Sequence, residues 1–321
     1  MIRRLVNCVL VAVIFAGGAQ AKTTIKLGIG QSEGSFIHEI VVFIKNDFEK
    51  RIGADGELQI FAGGQIGNDT VILNGLRQGT HHVGLIGSPV AGIEKGFGIF
   101  EAPFLFANRD EVIRVTTGAV GRELLNRLRA RGIEGLAIGE IGFRQITNNV
   151  RPIVRPEDLK GLKIRIPNSP FRAQTFKHFG ATATPIAFGE TYAALRQGVV
   201  DGQENPLATT HGERWHEVQK FVSLTNHLFT PIMIMASKSS FDAWPRPVQD
   251  ALRKAAEAAA QFSFRRGEEL DRKYLEEMTR TAKTNQIDAA AFRKASAALH
   301  GSVAEQAGKD LMDQVLAQLA K

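Results

Sequence analysis

The residues best equipped for chemistry cluster between Gly161 and Pro206, around one arginine. In Leu162-Lys163-Ile164-Arg165-Ile166 apolar and basic residues alternate, the period-2 pattern of a half-buried strand. Arg165 is thereby set near the strand's C-terminal end, on the face opposite the isoleucines. Pro167-Asn168-Ser169-Pro170 stops the strand and starts a helix, with Ser169 as N-cap and Pro170 at the first helical position. A guanidinium beside a helix N-terminus, at the carboxyl end of a strand, offers both charge and N–H donors to an anion.

Other chemistries find fewer candidates. The eight histidines show no HExxH or HxH spacing, and His211 and His216, five apart, do not share a helix face. There is no GxSxG elbow, and the single cysteine, Cys8, lies in an N-terminal apolar run. The loop Gly28-Ile29-Gly30-Gln31-Ser32-Glu33-Gly34 reads GxGxxxG, one residue longer than the dinucleotide fingerprint. Its glycines fit a loop that runs close to a ligand or turns into a helix. Gly63-Gly64-Gln65-Ile66-Gly67 lacks the Gly-Lys-Ser/Thr ending of a phosphate loop and reads as a turn. Glu190, Asp201 and Glu204 could form a general acid–base pair, but their spacing equally suits a helix-start charge and loop acceptors of backbone N–H groups. No cofactor, no metal and no catalytic role are expected.

The N-terminus has the layout of a secretory signal: Arg3 and Arg4, an apolar run over 5–16, and Ala19-Gln20-Ala21 as the small-residue cleavage motif. Cleavage is expected after Ala21, giving an exported protein without Cys8; the run is shorter than the roughly 20 residues a membrane span needs. Of 321 residues, 44% are apolar, enough for a substantial core. Loss of Arg3 and Arg4 lowers the formal charge of +7 by two. The remaining positive charge is dispersed and no nucleic-acid motif accompanies it, so no nucleic-acid partner is expected.

The elements that must position these residues alternate strand and helix. Strands are predicted at 24–28, 58–61 and 82–86. The helix after the first carries Ile37, Ile40, Val41, Ile44 and Phe48 on one face. Leu76-Arg77-Gln78-Gly79 and Leu195-Arg196-Gln197-Gly198 are identical, each at a helix end before a strand, which suggests two lobes of similar α/β construction. One helix is predicted over 110–131 and a long strand over 133–141, continued by 142–148 and crossing between lobes. Further on, the pattern gives a helix over 191–197, a strand restarting at 199–200, a polar loop over 201–206, and a strand-like run over 220–236 that returns the chain to the first lobe. No Ser/Gly/Pro-rich linker occurs, so the lobes interleave, with hinges at element ends. From 247 to about 282 apolar and small residues recur every three or four positions, a helix of roughly 50 Å; its alanines at 255–260 suit close packing across both lobes. Helices over 288–300 and 304–319 finish the chain.

The run FGETYAALRQGVVDGQENPL (188–207), preceded by LKGLKIRIP and followed by WHEVQKFVSLTNH (215–227), resembles the periplasmic solute-binding subunits of tripartite ATP-independent periplasmic (TRAP) transporters, the dicarboxylate-binding-protein family. The similarity extends from about Thr24 through the long C-terminal helix. It implies a two-lobed clamshell α/β fold whose long helix bridges both lobes, with lobe I formed by 22–141 plus 231–270 and lobe II by 142–230 plus 271–321. It also implies a monomeric receptor that binds a small organic acid in the cleft and delivers it to integral membrane permease subunits, driven by ions. The arginine of the KIRIP strand, Arg165, then clamps the carboxylate, and Arg144 in GFRQITN is the second arginine. Asn205 supplies an amide and Phe188 an aromatic wall, and Glu204 of the same loop is placed with them. In lobe I, Gln31, Gln65 and Ser88 fall on strand-end loops that should face the cleft. Two alternatives stay open: a periplasmic enzyme of similar fold using Glu190 or Glu204 as base, and a receptor serving a sensor protein.

Overall fold

The computed structural model describes residues 22–320; the predicted leader, its cleavage point and Cys8 lie outside them. Ten strands follow in order: β1 (Thr23–Gly28), β2 (Gly56–Phe61), β3 (Val83–Ile86), β4 (Ile133–Asn148), β5 (Lys163–Ile166), β6 (Thr182–Pro185), β7 (Gly202–Pro206), β8 (Phe221–Leu224), β9 (Phe229–Ser237) and β10 (Lys283–Gln286). They form one path, β2-β1-β3-β9-β4-β7-β5-β6, with β8 paired to β4 and β10 to β8. The strand shared by both halves of this arrangement is β4. Its residues 133–143 run antiparallel to β9, while 144–148 pair with β7 on one side and 146–148 with β8 on the other. The register shifts between Glu140 and Gly142, and Gly142 has φ 126°, a conformation that favours glycine. The shift falls opposite Pro231, whose missing N–H is thus accommodated inside β9.

The helices follow their local signals. Phe36–Ile52 starts at Ser35, whose hydroxyl accepts from the His38 N–H, and buries the expected Ile37, Ile40, Val41, Ile44 and Phe48. Gly79 and Gly198 of the repeated tetrapeptide both take left-handed φ, 81° and 70°, so the echo marks the same helix-stop geometry twice. The long helix spans Arg246–Met278, 33 residues. Ala255, Ala256 and Ala259 pack with Leu136, Ile232 and Ile234 of β4 and β9, and its far end, Met278, packs with Leu207 and Val222. The final helices, Ala289–Ala307 and Lys309–Leu319, touch both halves. Phe292 joins Ile164 and Phe179, whereas Leu311, Met312 and Val315 join Val112, Val115 and Leu124.

Several elements depart from the sequence pattern. The predicted helix over 110–131 breaks at Gly118 into Arg109–Thr117 and Ala119–Arg127. Thr116 and Thr117 turn their hydroxyls back to the Val112 and Ile113 carbonyls at 2.8 and 2.6 Å, and Gly118 adopts an extended conformation. Residues 199–200 are no strand; the strand is the stretch 202–206, read as a polar loop. All five of its residues are buried between β4 and β5, and Gln203, Glu204 and Asn205 find partners inside rather than in solvent. The run 220–236 divides into β8 and β9 at a turn where Asn226 has φ 43°. The break between the last helices falls at Gly308, φ 115°, and β10 was unmarked by any periodicity.

Candidate anion-binding site

Strand β5 is buried on both faces, not one. Ile164 and Ile166 enter the apolar core, and Arg165, only 2% exposed, lies on the other side. Its Nε and Nη2 both donate to the Ile186 carbonyl at 3.1 and 2.8 Å, and its guanidinium stands 6.0 and 5.7 Å from the ring centres of Phe188 and Trp215. Among the described residues no carboxylate lies within ion-pair distance of it. Burial, and then the neighbouring Arg144, push its pKa down to about 9. It therefore remains a cation at neutral pH, at an electrostatic cost that an anion would offset.

Arg144 is compensated. Its Nε and Nη2 bind the Glu204 carboxylate, Nη2 also reaches the Glu204 carbonyl, and Nη1 donates to Thr230 Oγ1 at 3.2 Å. Glu204 is shared: Arg172 Nη1 donates to its Oε2 at 2.6 Å, and His227 Nε2 stands 3.3 Å away. Arg172, fully buried, also grips Glu101 with Nε and Nη2 at 2.7 and 2.9 Å and donates to Ser88 Oγ at 3.1 Å. Burial alone would raise the Glu204 carboxyl, but Arg144 and Arg172 outweigh it and hold it well below the ordinary range. Two arginines thus face two glutamates, and Arg165 is left outside that balance.

Arg165 and Arg144 line one cavity of about 40 Å³ together with Gln31, Asp69, Ser88, Phe188, Asn205, Thr209 and Thr230. A second cavity of about 250 Å³ shares Asp69, Pro89, Arg165, Pro167 and Phe188 with it. Larger hollows, about 580 Å³ beside Arg109 and about 690 Å³ beside His216, hold none of these residues, and Arg109 is already paired with Glu140 and Asp271. The two smaller cavities are the ones lined by the uncompensated buried guanidinium of Arg165.

Of the residues singled out from sequence, Arg165, Arg144, Asn205, Phe188, Gln31 and Ser88 come together here, drawn from both half-sheets. Glu204 does not line the cavity; it stands behind, fixing Arg144. Gln65 is exposed and lines neither cavity. Of the acids considered as bases, Glu190 is exposed and Asp201 accepts from the Lys163 N–H at 2.8 Å. Sequence reasoning missed Arg172 and Asp69. Arg172 is in helical step with buried Thr175 and Phe176, which was a usable signal. Asp69 follows the N-cap Asn68 and looked like an ordinary first-turn acid.

The chain matches the family model described as bacterial extracellular solute-binding protein, family 7 (DctP), over residues 27–307. It is 32% identical over 249 residues to the 2,3-diketo-L-gulonate-binding periplasmic protein YiaO of Escherichia coli, covering 77% of this chain and 76% of that protein. It is also 32% identical over 230 residues to the C4-dicarboxylate-binding periplasmic protein DctP of Rhodobacter capsulatus, covering 70% and 69%. The crystal structure of the sugar acid binding protein DctPAm from Advenella mimigardefordensis with galactonate superposes with a TM-score of 0.90 at 29% identity, covering 93% of this chain and 98% of that one. A TRAP periplasmic solute-binding protein from Polaromonas bound to D-erythronate gives 0.88 at 28% identity, covering 92% and 98%. With the fold two-lobed as in these structures, the chain belongs to the DctP family of TRAP solute-binding proteins.

Proposed function

We propose that this protein is a periplasmic receptor that takes up a small organic acid by its carboxylate between the two lobes and passes it to the membrane components of a TRAP transporter. The observation that carries this reading is Arg165, a buried guanidinium with no carboxylate partner among the described residues, beside a second arginine held by Glu204. Arg165 is the principal clamp and Arg144 the second cation. Asn205 contributes its amide, Phe188 the wall, and Gln31 and Ser88 the contacts of the first lobe; Glu204 acts through Arg144. The acids bound by related structures, galactonate, D-erythronate, L-gulonate and succinate, share only the carboxylate, which is the group this site is charged to receive.

A catalytic reading has little to work with. Glu204, the buried acid it would use as base, is locked among three cationic or imidazole partners and held as a weakly basic carboxylate. The lobes are drawn as 22–141 plus 231–270 and 142–230 plus 271–321, with the helix Lys309–Leu319 lying back on the first half. The leader 1–21 directs export and is removed after Ala21, and the receptor works as a monomer. A thermal-shift screen against carboxylic acids tests the core of the proposal: a ligand at 100 times its Kd should add about 2.7 kcal/mol of stability, and a silent screen would overturn it.

A further inference from the structure

Resting on that carboxylate reading, we propose that the bound acid is hydroxylated: a polyhydroxy monocarboxylate whose hydroxyl groups donate to Gln31 and Asp69. Among the described residues, only two buried side-chain atoms lack a hydrogen-bond partner, Gln31 Oε1 and Asp69 Oδ1. Both belong to side chains that line the cavity of Arg144 and Arg165. Buried polar atoms are nearly always paired, so two orphans at one cavity mark a site completed by something else. Gln31 is 6% exposed. Gly30 leaves the room that Asp69 occupies, since a Cβ there would stand 2.7 Å from Asp69 Oδ1.

The two orphans ask for donors, which a carboxylate or an alkyl chain does not have. A second carboxylate placed against Asp69 would meet a like charge, and a methylene would leave both oxygens unpaired. A hydroxyl donates to either oxygen and can still accept from the hydroxyls of Ser88, Thr209 or Thr230 in the same lining. An ammonium could donate to Asp69 too, but it has no lone pair with which to accept from the hydroxyls of Ser88, Thr209 and Thr230 in the same lining. The site thus divides its work: arginines take the acid group, and the Gln31–Asp69 side reads the rest of the chain. Burial raises the Asp69 pKa to about 6 against the pull of Arg165, so it is mostly an acceptor at pH 7.5.

Competition calorimetry at pH 7.5 on the mature protein tests this with matched acids: threonate against butanoate, gluconate against hexanoate, with glutarate and threonine as further arms. The expected result is that the better of threonate and gluconate binds at least about 10-fold tighter than its deoxy counterpart and than glutarate or threonine. In Gln31→Met and Asp69→Asn that gap should narrow at least about threefold. Equal affinity within both pairs, a preference for glutarate or threonine, or an unchanged gap in both variants would overturn the hydroxyl inference and leave the carboxylate reading standing. If no acid binds the wild-type protein, the carboxylate reading itself fails and takes this inference with it.

Discussion

Arg165 and Arg144 sit side by side yet should respond differently to substitution. Arg165 is aimed by two bonds to the Ile186 carbonyl, an anchorage that a flexible lysine stem cannot copy. Arg165→Lys should therefore weaken binding of a cognate acid by roughly 10-fold or more, and Arg165→Ala by about 2–5 kcal/mol, on the order of 30- to several-thousand-fold in Kd. Because no carboxylate depends on Arg165, the apo protein should keep its stability; calorimetry paired with urea unfolding reads both. Arg144→Ala leaves Glu204 in the interior with only Arg172 and His227, and should lower stability in urea unfolding by about 1–3 kcal/mol as well as weaken binding. Asp69 gives a pH test. Its folded pKa, about 6, is raised above the ordinary 3.8, so the fold favours the protonated form. The stability this lends is fully present below pH 4 and is lost as pH rises through 6. Asp69→Asn should accordingly stabilise the apo protein at pH 7.5 by up to about 3 kcal/mol, less to the extent that the half-buried side chain is solvated. The gain should fade toward pH 4 in thermal melts.

At the level of elements, β7 decides how the site is built. It threads between β4 and β5 and carries Glu204 and Asn205, and its first residue leaves no room for a side chain: a Cβ on Gly202 would collide with the Thr147 carbonyl oxygen. Gly202→Ala should therefore destabilise by about 1–3 kcal/mol, seen as a lower urea midpoint with unchanged slope. The same strand shows where sequence reading stops. Apolar periodicity found the helix at Phe36–Ile52 and the long helix, because each buries an apolar stripe whose period survives in the sequence. In β7 the interior is polar: Gln203 donates to Thr147 at 2.9 Å and Asn205 to Gln203 at 2.7 Å, so a buried strand has the composition of a loop. Arg165 was legible from its place at a strand end beside a helix start, Arg144 and Asn205 only through a matched family pattern. Asp69 was not, since its role depends on enclosure by Gly30, which no local pattern encodes.

At the scale of the whole molecule, the cavity of Arg144 and Arg165 is lined from two half-sheets joined by β4, β9 and the long helix. Such a frame should close as a rigid-body motion about the bulge near Glu140 and Gly142. Small-angle scattering should show a smaller radius of gyration with a saturating acid than without; an unchanged radius would indicate a static pocket.

The position of β9 has a further consequence, for the order in which the molecule can come into being. It lies between β3 and β4, so the first half-sheet lacks the strand that joins β3 to β4 until residues 229–237 are available. A chain emerging from its N-terminus has therefore made all of β1 to β8 before either half can be finished, and the pairings that complete the first half are distant in sequence. Non-local pairing of this kind slows folding. The interleaving of the two halves thus keeps the growing chain from completing the first half-sheet until nearly three-quarters of it has been delivered.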